Sequence, residues 1–214
     1  MSYIIAVAAP VGGGKTSLVR SIATLLQNAE TISFDHYENI SHESVDVLIR
    51  WMEKGGEFNE FIIPALVEDL KKLKSGHSVI DPLTKREITA EKYIIFEMPL
   101  GKEHADTAVY IDLLIWVDLP LDIALARKIR EYTDVILAQY EREKYRECIQ
   151  WMNTYLTNYL LMIGDMMRLQ KTRVRRNADI IVDGRSDVRN MAEYVVQEIV
   201  RRSARSVNDD SQNR

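Results

Sequence analysis

The chain carries a single cysteine, Cys148, in 214 residues. No intrachain disulfide can form, and such usage fits a reducing, cytoplasmic-type compartment. Long hydrophobic runs are also missing. The longest, such as Ile4–Ala9 and Leu113–Val117, fall far short of the ~20 residues a membrane span needs. Ile4–Val11 has the length of a short signal core, but no basic stretch precedes it and a glycine-lysine loop follows at once. There is no basic excess: 28 Lys and Arg stand against 32 Asp and Glu, for a formal charge of −4. That removes a global field for wrapping duplex DNA and argues against a nucleic-acid partner. His42, His77 and His104 show no metal-ligand spacing, so no zinc site is expected. No repeat, low-complexity block or Pro/Gly/Ser linker divides the chain. What is left, at 46% hydrophobic and 28% charged residues, can bury a core. The length suits one α/β-sized domain with a lid or insertion, here placed at 1–203, with 204–214 as a frayed polar tail.

Apolar runs alternate with helical periodicity along that domain. Tyr3–Ala9 reads as a buried strand, and Leu18, Ile22, Leu25 and Leu26 mark a helix over Ser17–Asn28. Thr31–Phe34 is a weak second strand ending at Asp35. Ser41 is placed as the N-cap of a helix running to Gly55-Gly56, and Pro64–Leu73 forms the next helix. Val79–Thr89, with its Asp81-Pro82 turn, reads as irregular or a hairpin. Tyr93–Phe96 and Leu113–Val117 are continuous apolar strands, each followed by a carboxylate, Glu97 and Asp118. Leu121 to about Lys171 is helical with a break near Gly164, and Asp179–Val182 and Val188–Arg201 close the pattern. The alternation predicts a mostly parallel, five-stranded sheet covered by helices on both faces. Ligands of such sheets gather at the carboxyl ends of the strands, where Gly12, Asp35, Glu97 and Asp118 are all placed.

The strongest local motif is Ala9-Pro-Val-Gly-Gly-Gly-Lys-Thr16, which matches GxxxxGK[ST] except that Ala9 stands in the first glycine's place. Glycines let successive N–H groups curl inward around phosphate oxygens, and the helix that follows adds its positive end. Pro10, Val11, Gly12, Gly13, Gly14, Lys15, Thr16 and Ser17 are therefore the candidate nucleotide cradle. Lys15 would reach the β- and γ-phosphates and the Thr16 hydroxyl a Mg²⁺ ion. The plainer alternative is a glycine-rich turn with a surface lysine, but the apolar strand leading in and the amphipathic helix leading out favour the phosphate loop. No NKxD string occurs, which disfavours a GTPase, and no second ATPase signature appears.

Beyond the loop, the order of segments resembles the uridine kinase-like family of P-loop kinases, relatives of phosphoribulokinase and type I pantothenate kinase. Ile32-Ser-Phe-Asp-His-Tyr37 is similar to the family's Ser-x-Asp-x-Phe/Tyr segment. Ile94-Ile-Phe-Glu97 stands where the family has a strand ending in Phe-Glu-Gly, here continued by Met-Pro-Leu-Gly101. Asp112–Asp118 with Leu125–Arg130 looks like its strand and arginine-bearing helix, and Ala178–Gly184 like its last strand. The resemblance implies a three-layer α/β/α P-loop fold with a helical lid. It also implies ATP and Mg²⁺ as cofactors and a small, nucleoside-like hydroxyl compound as acceptor.

By the same resemblance Asp35 is the base that receives the acceptor's proton, a turn aspartate being the bland alternative. For the Mg²⁺ carboxylate, bare pattern points to Asp118 and the family alignment to Glu97; Glu97 is the choice, and Asp118, ahead of Pro120 and a helix start, reads as a structural turn residue. Arg127 and Arg130, three apart on a helix, share a face. The resemblance makes them donor-phosphate arginines, against an ordinary solvated face. His36, Tyr37, Trp51 and Phe58 are acceptor-pocket candidates by position, each otherwise a core residue. The basic run Arg168–Arg176 reads as a solvated helix end rather than an anion site, and Met162, Met166 and Met167 as core or partner interface, leaving a homo-oligomer open. The family's arginine-rich lid loop is not recognisable between Glu131 and Asp134, and this, Ala9 and the unfamiliar stretch Trp51–Phe61 keep a nucleotide-binding regulator without catalysis in view; a partner-stimulated ATPase is a third reading.

Overall fold

The computed structural model describes residues 1–38, 43–139 and 142–212. In chain order the elements are β1 (Tyr3–Ala8), α1 (Lys15–Leu25), β2 (Ala29–Ile32), α2 (Val45–Glu53), α3 (Pro64–Lys74), β3 (Val79–Ile80), β4 (Glu87–Ile88) and β5 (Tyr93–Glu97). Then come α4 (Ala105–Ala108), β6 (Leu113–Asp118), α5 (Leu121–Gln139), α6 (Arg142–Asn158), α7 (Gly164–Arg176), β7 (Ile180–Asp183) and α8 (Val188–Gln212). Five strands form a sheet in the order β2-β5-β1-β6-β7, and every neighbouring pair in it is parallel.

Period-two alternation splits the central strands between two cores. Ile5, Val7, Ile95, Ile115 and Val117 pack with Leu18 and Ile22 of α1 and Val195 and Ile199 of α8. Ile4, Ala6, Ile94, Phe96, Leu114 and Trp116 face the other way, against Leu66, Leu70 and Leu73 of α3 and Val174 of α7. Covering both faces is why these strands read as unbroken apolar runs. The result is a three-layer α/β/α fold. Because β1 lies between β5 and β6, the connections diverge on either side of it and open a crevice at its carboxyl end.

Local departures from the sequence expectation have identifiable causes. Pairing of β2 with β5 begins at Ala29 opposite Tyr93, so the strand ends at Ile32. Asp35 then sits in a 3₁₀ turn, Phe34–His36. Helix α2 starts at Val45, with the Ser44 hydroxyl accepting from the Val47 N–H at 3.4 Å; Ser41, expected to cap it, lies outside the described residues. Residues 79–88 form an antiparallel hairpin. The break expected near Gly164 is a π-helical turn, Tyr159–Ile163, just ahead of it. A Cβ at Gly164 would lie 3.1 Å from the Tyr159 carbonyl oxygen, so this turn closes most easily over glycine. Helix α8 extends to Gln212, through the stretch after residue 203. No helix among the described residues is long and apolar enough to cross a membrane.

Candidate nucleotide and acceptor site

The loop between β1 and α1 is a tight curl. The Gly13 N–H donates to the Pro10 carbonyl at 2.8 Å, and Gly12 and Gly14 take φ of +78° and +88°, values that glycine adopts without penalty. Gly12 is constrained by space as well, since a Cβ there would meet the Ala124 carbonyl oxygen of α5 at 2.1 Å. A Cβ at Gly13 would fall 2.7 Å from the methyl of Ala9. Alanine at position 9 is thus accommodated because position 13 has no side chain. Helix α1 begins at Lys15 with Gly14 as its N-cap, and its first intrahelical bond runs from the Leu18 N–H to the Gly14 carbonyl at 3.0 Å, so the N–H groups of Lys15, Thr16 and Ser17 have no intrahelical acceptor.

Lys15 is half-buried, and its Nζ donates to the carbonyls of Ala9 at 3.1 Å and Pro10 at 3.5 Å. Burial drives its ammonium below the ordinary lysine range. The Glu97 and Asp35 carboxylates pull it back up, while Lys128 pushes it further down. The site therefore holds a cation short of negative charge, the condition a polyphosphate would relieve.

A polar cleft of about 710 Å³ opens over the loop, lined by Val11 through Ser17 together with Asp35, Glu97, Arg127 and Arg130. The sequence candidates are thereby brought to one place. Arg127 donates to the Gly184 carbonyl at 2.9 Å, tying α5 to the β7–α8 connection. Arg130 lies in the open, 3.9 Å from Asp134. Lys128 was not singled out from the sequence, yet it also lines this cleft, and its Cβ lies 3.3 Å from where a Gly12 Cβ would be. The helical period shows why: 128 follows 124, the residue in contact with the loop, by one turn.

Residues that fit a divalent ion are those of a magnesium site that relies on substrate oxygens. The cleft offers the Thr16 hydroxyl and the Asp35 and Glu97 carboxylates, and no cluster of three or more His, Cys, Asp or Glu suited to a metal exists among the described residues. One or two carboxylates plus phosphates and water is the usual magnesium arrangement. Glu97 stands opposite Val7 at the end of β1. Asp118 does not line the cleft. It pairs with Lys171 at 2.8 Å and Arg175 at 3.4 Å and accepts from the Trp116 indole at 3.3 Å. Burial pushes its carboxyl up, but these hydrogen bonds and charges outweigh burial and leave it below the usual range. Asp118 fastens α7 to the sheet.

A second, apolar cavity of about 340 Å³ adjoins the cleft, with Phe34, Leu48, Phe58, Phe61, Met162 and Met166 in its wall. Val11, Lys15, Asp35 and Pro99 line both spaces. Of the aromatic candidates only Phe58 faces this cavity. His36 is held by Asp81 through Nδ1 at 2.7 Å, the Tyr37 hydroxyl donates to Asp69 at 3.0 Å, and the Trp51 indole donates to the Glu57 carbonyl at 3.1 Å. The methionines do face it: Met162, Met166 and Met167 are wall residues.

Gln170 is the polar residue that sequence reasoning missed. It is buried, and its amide donates to the carbonyls of Ala9 at 3.3 Å and Pro99 at 2.7 Å, pinning α7 to the phosphate loop. The surrounding basic run is occupied in fastening contacts, such as Arg173 to the Gly55 carbonyl at 2.8 Å and to Glu57 at 3.2 Å.

No family model matches the sequence, and no curated protein does. Solved structures do match. A possible uridine kinase from Bacillus stearothermophilus superposes with a TM-score of 0.53 at 11% identity, over 85% of this chain and 89% of that one. Shikimate kinase from Acinetobacter baumannii, solved in complex with shikimate, gives a TM-score of 0.51 at 19% identity, over 94% and 95%. The chain shares with both an α/β fold built on a five-stranded parallel sheet. At these identities the likeness concerns architecture: a five-stranded parallel sheet with the loop at the end of its central strand.

Proposed function

We propose that this chain, with 1–203 as its working unit, is an ATP-dependent phosphotransferase that moves the γ-phosphate to a hydroxyl of a small molecule. The uridine kinase-like resemblance makes a nucleoside-like compound the first acceptor to try. One observation carries the reading: Lys15 and Asp35 line both the polar cleft and the apolar cavity. A phosphate tail seated in the loop and an alcohol seated in the cavity would meet between them.

Phosphoryl transfer asks for positioning, charge neutralisation and a proton acceptor. The backbone N–H groups of Gly12 and of residues 14–17, with the Lys15 ammonium, hold the β- and γ-phosphates, while that of Gly13 closes the loop on the Pro10 carbonyl. Arg127, Arg130 and Lys128 supply positive charge around the donor. Asp35 receives the proton of the acceptor hydroxyl as its oxygen forms the new bond to the γ-phosphorus. The bond from that phosphorus to the bridging oxygen breaks, and ADP leaves with the electron pair. Thr16 and Glu97 would hold Mg²⁺, which neutralises phosphate charge when bound.

The test is acceptor-dependent ADP release, with Lys15→Ala as the blank. Asp35→Asn should lower kcat by about 10²–10⁴-fold, the usual worth of a positioned base, with ATP affinity near normal. Unchanged turnover removes Asp35 from the role. Tight ATP binding with no acceptor-stimulated release across nucleosides, other alcohols and sugar phosphates would instead favour a regulator that has lost catalysis. Its sequence support was partly Ala9, and the missing side chain of Gly13 accommodates that methyl.

A further inference from the structure

The chemistry of the second cavity bears on what the acceptor is. Its volume, about 340 Å³, lies at the small end of the range for small-molecule sites. Phe34, Phe58, Phe61, Met162 and Met166 give it an apolar wall from the turn after β2, the segment after α2, the π-helical turn and α7. Among the described residues, Lys15 is its one cationic lining group, and the ammonium of Lys15 is bound to loop carbonyls. Three carboxylates, Asp35, Glu38 and Glu43, line it as well. Gln170 spends its amide donors on Ala9 and Pro99, which leaves Asn158 as the other amide in the wall.

An anionic acceptor would fare badly here. Its carboxylate or phosphate would lose hydration in an apolar space where, among the described residues, no guanidinium or unengaged ammonium stands ready to replace it. It would also face the carboxylates of Asp35 and Glu43, and like charges brought together reject a partner strongly. An uncharged ring gains from the same wall: aromatic side chains stack on it, and methionines adapt to its outline.

We propose that the acceptor is an alcohol with an uncharged, ring-sized apolar body, and that alcohols bearing a carboxylate or phosphate are excluded. The proposal rests on the phosphotransfer reading and narrows it. It separates this chain from the shikimate-bound structure whose fold it shares.

The experiment measures kcat/KM by ADP release on the full chain for matched acceptors: methyl shikimate against shikimate, uridine against uridine carrying a carboxylate on the base, and benzyl alcohol against hydroxymethylbenzoate. The uncharged member should be favoured by at least about 100-fold wherever a pair reacts. Preference for, or parity of, an anionic member overturns the substrate class and leaves the phosphotransfer reading standing. Silence of every acceptor, anionic and neutral alike, overturns that reading and this one together. Met166→Arg, at a half-buried wall position, should raise the anionic-to-neutral kcat/KM ratio at least tenfold. That ratio is taken on one protein sample, so the fraction folded cancels. An unmoved ratio means the acceptor does not sit against α7, and the assignment of this cavity fails.

Discussion

Lys15 concentrates the physics of the site in one residue. It is drawn out of water by the loop that surrounds it, held by two carbonyls, and lowered in pKa chiefly by that burial. A bound triphosphate places negative charge beside it and raises its pKa again, so binding takes up a proton over the interval between the two values. The sign follows. Nucleotide affinity is full where Lys15 is protonated in the free protein, and it declines as pH rises through the depressed pKa, below the ordinary lysine value. Isothermal titration in buffers of different ionisation enthalpy should show net proton uptake on ATP binding at alkaline pH, and Lys15→Met should abolish it. Proton release, or uptake that persists in the variant, contradicts the picture. The loop was legible as a string because its geometry is local: eight consecutive residues carry the curl, the cation and the hydroxyl. The tolerance of Ala9 was not, since it depends on how closely positions 9 and 13 approach in space.

At the scale of elements, legibility falls with sequence separation. Strand identities followed from apolar runs, and the helix α3 from Pro64 and its period. The cavity wall did not, because it joins α7 to a loop 161 residues away through Gln170 and Ala9. The turn that presents Asp35 was placed roughly right, yet what holds it was invisible. Asp81, in the β3–β4 hairpin, accepts from the Leu83 and Thr84 N–H groups at 3.0 and 2.8 Å and grips His36, the neighbour of Asp35, at 2.7 Å. Burial alone would push the Asp81 carboxyl up. The hydrogen bonds from His36, Thr84 and Leu83 prevail and bring it down to about 2. A carboxyl depressed in the fold contributes stability that is present above its ordinary pKa near 3.8 and lost as pH falls toward 2. Asp81→Asn should therefore cost about 2 kcal/mol at neutral pH and flatten the acid limb of a urea-midpoint profile between those pH values. It should also lower kcat by loosening the turn, with ATP affinity little changed. A midpoint profile identical to the wild type would show that Asp81 holds nothing.

On the scale of the whole molecule, the phosphate loop is a junction of layers. β1 feeds it, α5 touches it where Gly12 meets Ala124, and α7 is pinned to it by Gln170. The sheet places Glu97 on one side of β1 and the 3₁₀ turn with Asp35 beyond it. A ligand that fills the curl thus loads contacts from several elements at once, and its binding energy should appear as global rather than local stability. At a nucleotide concentration 100 times Kd the linkage is about 2.7 kcal/mol, which for a domain of this size raises Tm by roughly 5–10 °C. Differential scanning calorimetry with Mg²⁺ and a non-hydrolysable ATP analogue should show that rise in the wild type. Lys15→Ala should lose most of it at the same concentration, and Asp35→Asn should keep it, because the role proposed for Asp35 is needed for transfer and not for holding the donor. An acceptor alone should shift Tm less, since it lacks the loop's array of N–H groups. A full nucleotide shift in Lys15→Ala would place the donor away from residues 9–16, and with it would fall the meeting of phosphate and alcohol at Asp35.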